Sequence, residues 1–435
     1  MRKLFYSLLL LFISLMGTHS LSAQYLFNSD SAFNAGTPMT GHLWGYTFGD
    51  YYYKAHADAL DRGNANQYTG IPKNRNAFQI RRIYIGYDFN INKKFSTELL
   101  LAAEDNFPAG QGSPSSAQSG DELSNGKLSF YIKLADLRIK NIWRGTDLVI
   151  GQQATPAFPG LTEKIWNYRN IERTIADIRR TPSYDLGVGL QGTFDPKTKN
   201  YGYDLLMADG TSAKPENDGN KWFYGDLWAK FFNQKLVADI YGDYERLNWT
   251  PTWHHSRQMF KGYIAYNTAP LTIGVEGFIN NLKQDAYAYY TEAPTSGSPY
   301  EVLDNKAKGI SAYIHGDIVK NKLRFFARYD HYTPTNVVNN SLYSKYVFNT
   351  GNYNDNSFNG TTATGDETYT QNFITAGLDF SPAKNVHIEP NVWYNHYKTQ
   401  LGSTQNTALN GSLADKANGD YDLAYRITFY YTFGK

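Results

Sequence analysis

The sequence predicts an all-β chain, a 16-stranded antiparallel transmembrane β-barrel with long extracellular loops, short periplasmic turns and a folded-in constriction loop. Three observations carry this. Apolar and polar residues alternate with a period of two in segment after segment. The connections between those segments alternate long and short. Beyond the first two dozen residues, no apolar run is long enough for a transmembrane helix.

The final stretch, YDLAYRITFYYTFGK, shows the alternation best. Leu423, Tyr425, Ile427, Phe429, Tyr431 and Phe433 occupy every second position, with Asp422, Ala424, Arg426, Thr428, Tyr430 and Thr432 between them. One face is aromatic and apolar, the other mixed and polar. In a soluble sheet the apolar face turns to a core; in a membrane barrel it turns to lipid, and the polar face lines a wet lumen.

At the N-terminus, Arg2 and Lys3, the apolar stretch Leu4 to Met16 and Leu21-Ser22-Ala23 read as a cleavable export signal. The chain divides into a signal peptide at 1–23, a periplasmic N-terminal segment at 24–40 and the barrel at 41–435. With no cysteine, lipoprotein signals, disulfides and thiolate metal sites are excluded.

Strands are expected at 41–54, 77–90, 94–105, 127–140, 146–153, 183–194, 200–208 and 221–232. The second half gives 235–248, 257–267, 270–280, 308–318, 321–333, 369–380, 384–397 and 421–435. Tight turns such as Asn90 to Lys93, Asp195 to Thr198 and Asn233-Gln234 join them at one end. Eight connections are long and seven short, which leaves both termini on the short-turn side. The tyrosine clusters at 51–53 and 430–431 suit aromatic girdles at the membrane interfaces.

Charge placement decides between a soluble core and a lumen. Arg324, Phe326, Arg328 and Asp330 oppose Leu323, Phe325, Ala327 and Tyr329 along one strand. Burying those ions in a dry core would cost several kcal/mol for each unpaired charge. A water-filled barrel removes that cost. Ile310, Ala312 and Ile314 against Ser311, Tyr313 and His315 repeat the pattern.

The segment 154–182 is the least strand-like long connection. Ile165, Tyr168, Ile171, Ile175 and Ile178 recur at roughly helical spacing after Pro156 and Pro159-Gly160. It carries Lys164, Arg169, Arg173, Arg179 and Arg180 against Glu163, Glu172 and Asp177. Folded inward, it narrows the lumen and offers arginine donors to an anion.

These residues carry a resemblance. Gly151, Gln152, Thr155 and Pro156, followed by Glu172-Arg173, are similar to a motif of the phosphate-selective porins O and P. There a strand ends in Gly-Gln-Phe-Lys-Thr-Pro-Phe and a folded-in loop holds Phe-x-Glu-Arg. Gln153 stands in place of the aromatic and Ala154 in place of the lysine, so one basic ligand is missing. The chain ends in Gly434-Lys435 rather than in a terminal aromatic, with Phe433 close by. The resemblance implies a trimeric porin with a loop-narrowed pore.

Register assigns Arg82, Lys133, Lys230, Arg324, Arg328 and Arg426 to the lumen, with Glu98, Asp185, Asp204, Asp226, Asp239, Asp243, Glu276, Asp379 and Glu389. Selectivity comes from rings of one sign at the narrowest point; this wall is mixed. The pore constriction and solute-binding candidates are therefore Lys164, Arg169, Arg173, Arg179 and Arg180 in the loop, and Arg82, Arg324, Arg328 and Arg426 on the wall.

Other motifs point nowhere. Gly187-Val188-Gly189-Leu190-Gln191-Gly192 matches a dinucleotide fingerprint but lies within a strand. His254-His255 reads as a loop pair without nearby carboxylates, and the stretch 352–359 as a solvated loop. Removing Arg2 and Lys3 from the 42 basic residues leaves 40, equal to the 40 acidic ones, which argues against a nucleic-acid binder. No nucleophile elbow is present, and no cofactor or metal is implied.

The function expected is passive diffusion of small hydrophilic solutes, anions such as phosphate among them, across the outer membrane of a Gram-negative bacterium. The expected partners are solutes or ions, outer-membrane lipid and lipopolysaccharide, the barrel-assembly machinery and two further copies in a homotrimer. The alternatives are a barrel hydrolase and a non-conducting structural or adhesin barrel.

Overall fold

The structure, a computed structural model, describes residues 40–63, 66–104, 123–124, 127–179, 182–216, 218–292, 294–337, 342–348, 357–359, 362–363, 369–399, 416 and 419–434. The expected signal peptide and nearly all of the segment before the barrel lie outside them, as does Arg180.

Sixteen long strands follow one another. They are β1 (Thr40–His56), β2 (Asn76–Asn90), β3 (Phe95–Glu104), β4 (Tyr131–Trp143), β5 (Thr146–Ala154), β6 (Tyr184–Thr193), β7 (Tyr201–Ala208) and β8 (Trp222–Phe231). Then come β9 (Leu236–Trp249), β10 (His254–Asn267), β11 (Leu271–Tyr290), β12 (Tyr300–Val319), β13 (Leu323–Thr333), β14 (Tyr369–Ala383), β15 (Val386–Thr399) and β16 (Asp420–Phe433). Each pairs antiparallel with its neighbours, and β1 pairs with β16 from Gly45↔Phe433 to His56↔Leu423. That last ladder closes the barrel and leaves no edge.

The alternation resolves into two environments. Leu43, Ile150, Ile240, Phe260, Ile264, Ile310, Leu378 and Ile427 stand outward and exposed, Ile240 to 63% and Phe260 to 57%. Each such side chain forgoes roughly 1.5–3 kcal/mol if left in water, and a continuous belt of them requires hydrocarbon. The residues between them point inward and are buried, among them Arg82, Asp226, Asp239, Glu276, Arg328, Asp379 and Arg426. The tyrosine clusters divide by the same rule. Tyr53 and Tyr431 face outward, whereas Tyr52 is buried inside and Tyr430 packs against Tyr46 and Phe48.

Tight turns close the short-turn end because their residues accept positive φ. Asn321 (60°) and Asn385 (65°) turn β12 into β13 and β14 into β15, and Asn233 (57°) lies in the β8–β9 turn. At the other end the strands run further than alternation indicates. β11 and β12 extend to Tyr290 and from Tyr300, so the long loop expected over 281–307 is mostly hairpin. Tyr343–Phe348 adds to β11 beyond the point where β10 ends. Above the hydrocarbon neither face of a strand must be apolar, so the periodicity fades while the ladder continues. The connection between β9 and β10 shrinks to residues 250–253 for the same reason.

That extension changes the reading of the histidine pair. His254 and His255 begin β10, and buried His255 holds Asp285 of β11 through Nε2 at 3.0 Å. The Gly187–Gly192 run lies within β6, as expected. A Cβ at Gly187 would lie 2.2 Å from the Met207 carbonyl oxygen, so close strand packing requires that glycine. Of the stretch 352–359, residues 352–356 lie outside the described residues, and Ser357–Asn359 is a short strand.

Candidate pore and constriction loop

The connection from β5 to β6 folds into the barrel. Its neck is tied by Thr155 N–H to the Ser183 carbonyl (3.1 Å) and Thr155 Oγ1 to the Pro182 carbonyl (2.6 Å). It forms two short helices, α1 (Thr162–Trp166) and α2 (Ile175–Ile178), rather than one. Asn167 ends α1 with φ of 59°, and the Thr174 hydroxyl caps α2 by accepting from Asp177 N–H. All five apolar residues expected at helical spacing are buried.

What buries them is the opposite wall. Ile165, Trp166, Tyr168 and Ile171 pack with Val237, Tyr263, Ala265, Tyr313 and Phe326 of β9, β10, β12 and β13. Ala157, Phe158, Ile175 and Ala176 pack with Trp222, Tyr224, Tyr241, Met259, Phe278 and Tyr332. A barrel interior this apolar on one arc would be unstable open to water. The loop covers it, at roughly 1.5–3 kcal/mol for each large side chain.

Polar contacts fix the loop all round. His315 donates to the Ile165 carbonyl (3.0 Å), Arg81 to the Asn170 carbonyl (2.9 Å) and Arg328 to the Arg173 carbonyl (2.5 Å). Tyr168 donates to Asp379 (3.2 Å), Asn170 to Glu389, and the Trp393 indole to Glu172 (2.8 Å). Burial opposes the charge on Glu172, yet Arg81, Arg173 and that indole together hold its carboxyl below the usual glutamate range. Glu163 differs: burial, against the pull of Arg169, pushes its carboxyl up.

The candidate arginines are brought inside but not left open. Arg169 lies 3.2 Å from Glu163 and 3.5 Å from Asp177, and Arg173 lies 3.7 Å from Asp177. Arg179 donates to Gln371 (2.7 Å) and sits 4.1 Å over the Tyr332 ring. Arg82 pairs with Glu104 (3.0 Å), Arg324 with Asp317 (3.4 Å) and Arg328 with Asp330 (2.5 Å). Arg426 donates to Asn391 (2.6 Å). Lys164 alone among the loop's described basic residues is exposed, facing a cavity it shares with Glu98. The sequence shows which residues turn inward; it does not show which carboxylates already hold them.

A second inward connection was not expected. Between β1 and β2, residues 66–75 bury Tyr68 and Ile71 against Tyr52, Phe373, Trp393 and Ala424. Arg62 grips Asp58 with both Nε (2.9 Å) and Nη2 (2.7 Å), and Lys54 reaches Asp422 (2.5 Å). The two loops meet at Gln371, whose Oε1 accepts from Asn66 (3.0 Å), Arg179 (2.7 Å) and Asn395 (3.1 Å). Tyr68 and Ile71 in a largely polar connection are the sequence signal for this.

Between loop and wall on the other arc lies a cavity of about 660 Å³, reached from the short-turn end. Its lining runs from β3 to β8, with α1 and the loop's first residues opposite. Two other cavities, of about 10 Å³ each, lie between the loop and the wall and hold little more than one water apiece.

The fold of this barrel recurs in solved structures. DcaP, an outer membrane channel of Acinetobacter baumannii, aligns over 91% of this chain and 97% of its own, at 11% identity and a TM-score of 0.56. The anion-selective porin of Comamonas acidovorans covers 91% of this chain and 100% of its own, at 10% identity and 0.52. Salmonella typhi OmpF covers 92% and 99%, at 11% identity and 0.50. The fold is that of the outer-membrane porins. In sequence the chain matches no protein-family model and no curated protein. At such identities the likeness to the porins is one of fold, and the side chains of the lumen are this chain's own.

Proposed function

We propose that this chain is an outer-membrane porin, a passive channel for small hydrophilic solutes and ions, narrowed by the loop 155–183. One observation carries the reading: a closed barrel with an apolar outside encloses charged side chains and an open cavity of about 660 Å³. The names of its structural neighbours, an outer membrane channel and porins, agree. The reading includes export by the cleavable signal at 1–23, residence in a Gram-negative outer membrane among lipid and lipopolysaccharide, insertion by the barrel-assembly machinery, a homotrimer, and no enzymatic activity.

Phosphate or anion preference, which the resemblance to the O and P porins raised, needs arginine N–H groups turned toward solute. Arg169, Arg173, Arg82, Arg324 and Arg328 instead hold carboxylates, so they enter as posts of the constriction. The test is single-channel recording of the purified protein in planar bilayers, alongside a hydrolase assay with serine-directed inhibitors. Stable current steps without hydrolysis are expected. A sealed barrel, or inhibitor-sensitive hydrolysis, would refute the reading.

A further inference from the structure

Two side chains able to bind metal leave β15 on the same side, and a third meets them from β14. His387 and Glu389 are two residues apart on β15, so both project into the barrel. Gly377 pairs with Asn391 and Phe380 with Ile388, which sets Asp379 of β14 directly opposite Glu389. Both carboxylates are buried, and His387 is part-buried near the short turn at Asn385. Carboxylates opposed in this way weaken a sheet.

The three groups converge. His387 Nδ1 lies 2.8 Å from Asp379 Oδ1, and one ligand atom from each of Asp379, His387 and Glu389 falls within 4.8 Å of the others. Ligand atoms about 2.1 Å from a zinc ion stand roughly 3.4 Å apart, a spacing that small side-chain rotations reach. The Tyr430 ring, 5.3 Å from the His387 ring, backs the imidazole. Nearby arginines are engaged elsewhere. Arg324 takes Asp317 (3.4 Å) and His315 (3.1 Å), Arg426 takes Asn391 (2.6 Å), and Arg81 takes the Asn170 carbonyl (2.9 Å). Among the described residues no lysine or arginine forms an ion pair with Asp379 or Glu389.

The constriction loop supplies the carboxylates' other partners. Tyr168 donates to Asp379 Oδ2 (3.2 Å), and Asn170 donates to Glu389 Oε2. Groups that hydrogen-bond a ligating carboxylate orient it and raise its affinity for metal.

We propose that Asp379, His387 and Glu389 form a binding site for a divalent transition-metal ion of the zinc type, and that its occupancy fastens the constriction loop to the wall through Tyr168 and Asn170. One imidazole with two carboxylates suits Zn²⁺ better than Ca²⁺ or Mg²⁺, which take all-oxygen shells. Three protein ligands leave a further position for water. The inference does not depend on what passes through the barrel.

The test is Zn²⁺ binding to the untagged, full-length protein folded in detergent, followed by titration calorimetry. Wild type should bind Zn²⁺. His387→Ala and Glu389→Gln should each weaken binding by more than about tenfold, whereas His254→Ala, at the opposite end of the barrel, should not. Zn²⁺ should also slow proteolysis within 155–183 in wild type and leave it unchanged in His387→Ala. Heat-modifiable migration shows whether each variant folds. Should the variants fail to fold, diethyl pyrocarbonate labelling of His387 in wild type, read by mass spectrometry, should fall when Zn²⁺ is added. No Zn²⁺ binding by wild type, unchanged affinity in folded His387→Ala, or undiminished labelling of His387 overturns the site. Binding without slower proteolysis overturns the fastening of the loop.

Discussion

Gln371 of β14 and Arg179 of the constriction loop meet at 2.7 Å, and the same Gln371 oxygen accepts from Asn66 of the first inward loop at 3.0 Å. One amide oxygen thus ties two separate obstructions to a single point on the wall. This point therefore couples the seating of the two loops.

Replacing Gln371 with Leu should leave the Arg179 guanidinium without that acceptor, at a cost of about 1–3 kcal/mol. Both loops should loosen together. Single-channel records should show larger and noisier conductance. Currents indistinguishable from wild type would mean that the loops are seated independently.

Trp166 anchors α1 beneath the Arg328 guanidinium, which lies 5.4 Å from its ring, and donates to the Glu172 carbonyl at 2.9 Å. Trp166→Ala should cost the loop's docking about 3–5 kcal/mol. The strands do not depend on it. Protease should therefore cut within 155–183 while the barrel keeps its heat-modifiable migration; loss of both together would show that the loop is part of the barrel's own stability.

Arg169 and Arg173 share Asp177, and Arg169 also holds Glu163. The double change R169E/R173E should place four carboxylates together and drive the loop from its seat. Reversal potentials should move toward cations and conductance should rise. An unaltered reversal potential would show that ions do not pass this loop.

The Glu172 carboxyl is held below the ordinary glutamate value of 4.5. A depressed folded value means its stabilisation is complete above the ordinary value and is lost as pH falls through the folded one. Acidification should therefore release the loop, seen as faster proteolysis within 155–183 at low pH. Glu172→Gln should remove that step at its own position; a variant with the wild-type pH profile would assign the release to other carboxylates.

Much of the wall was legible because hydrocarbon outside and water inside force a two-residue alternation, and β13 and β16 display it residue by residue. The inward fold of 155–183 was legible for a related reason: Ile165, Tyr168, Ile171, Ile175 and Ile178 are too apolar for an external loop. Their division into two helices was not, since Asn167 adopting positive φ is a local choice that spacing does not record. The first inward loop escaped notice because its anchors, Gln371 and Asp422, lie some three hundred residues away in sequence. Nor could composition reveal that Arg82 faces Glu104 or that His255 faces Asp285; pairings between strands become visible only once register is set.

The loop presses its apolar side against β7 to β13, and its free space, toward the short-turn end, lies beside β3 to β8. On the channel reading proposed above, traffic through this molecule is off-centre, keeping to one flank instead of the axis. On that reading, changes beside the free space alter directly what gets through, and changes under the loop's apolar side act through how firmly the obstacle is parked.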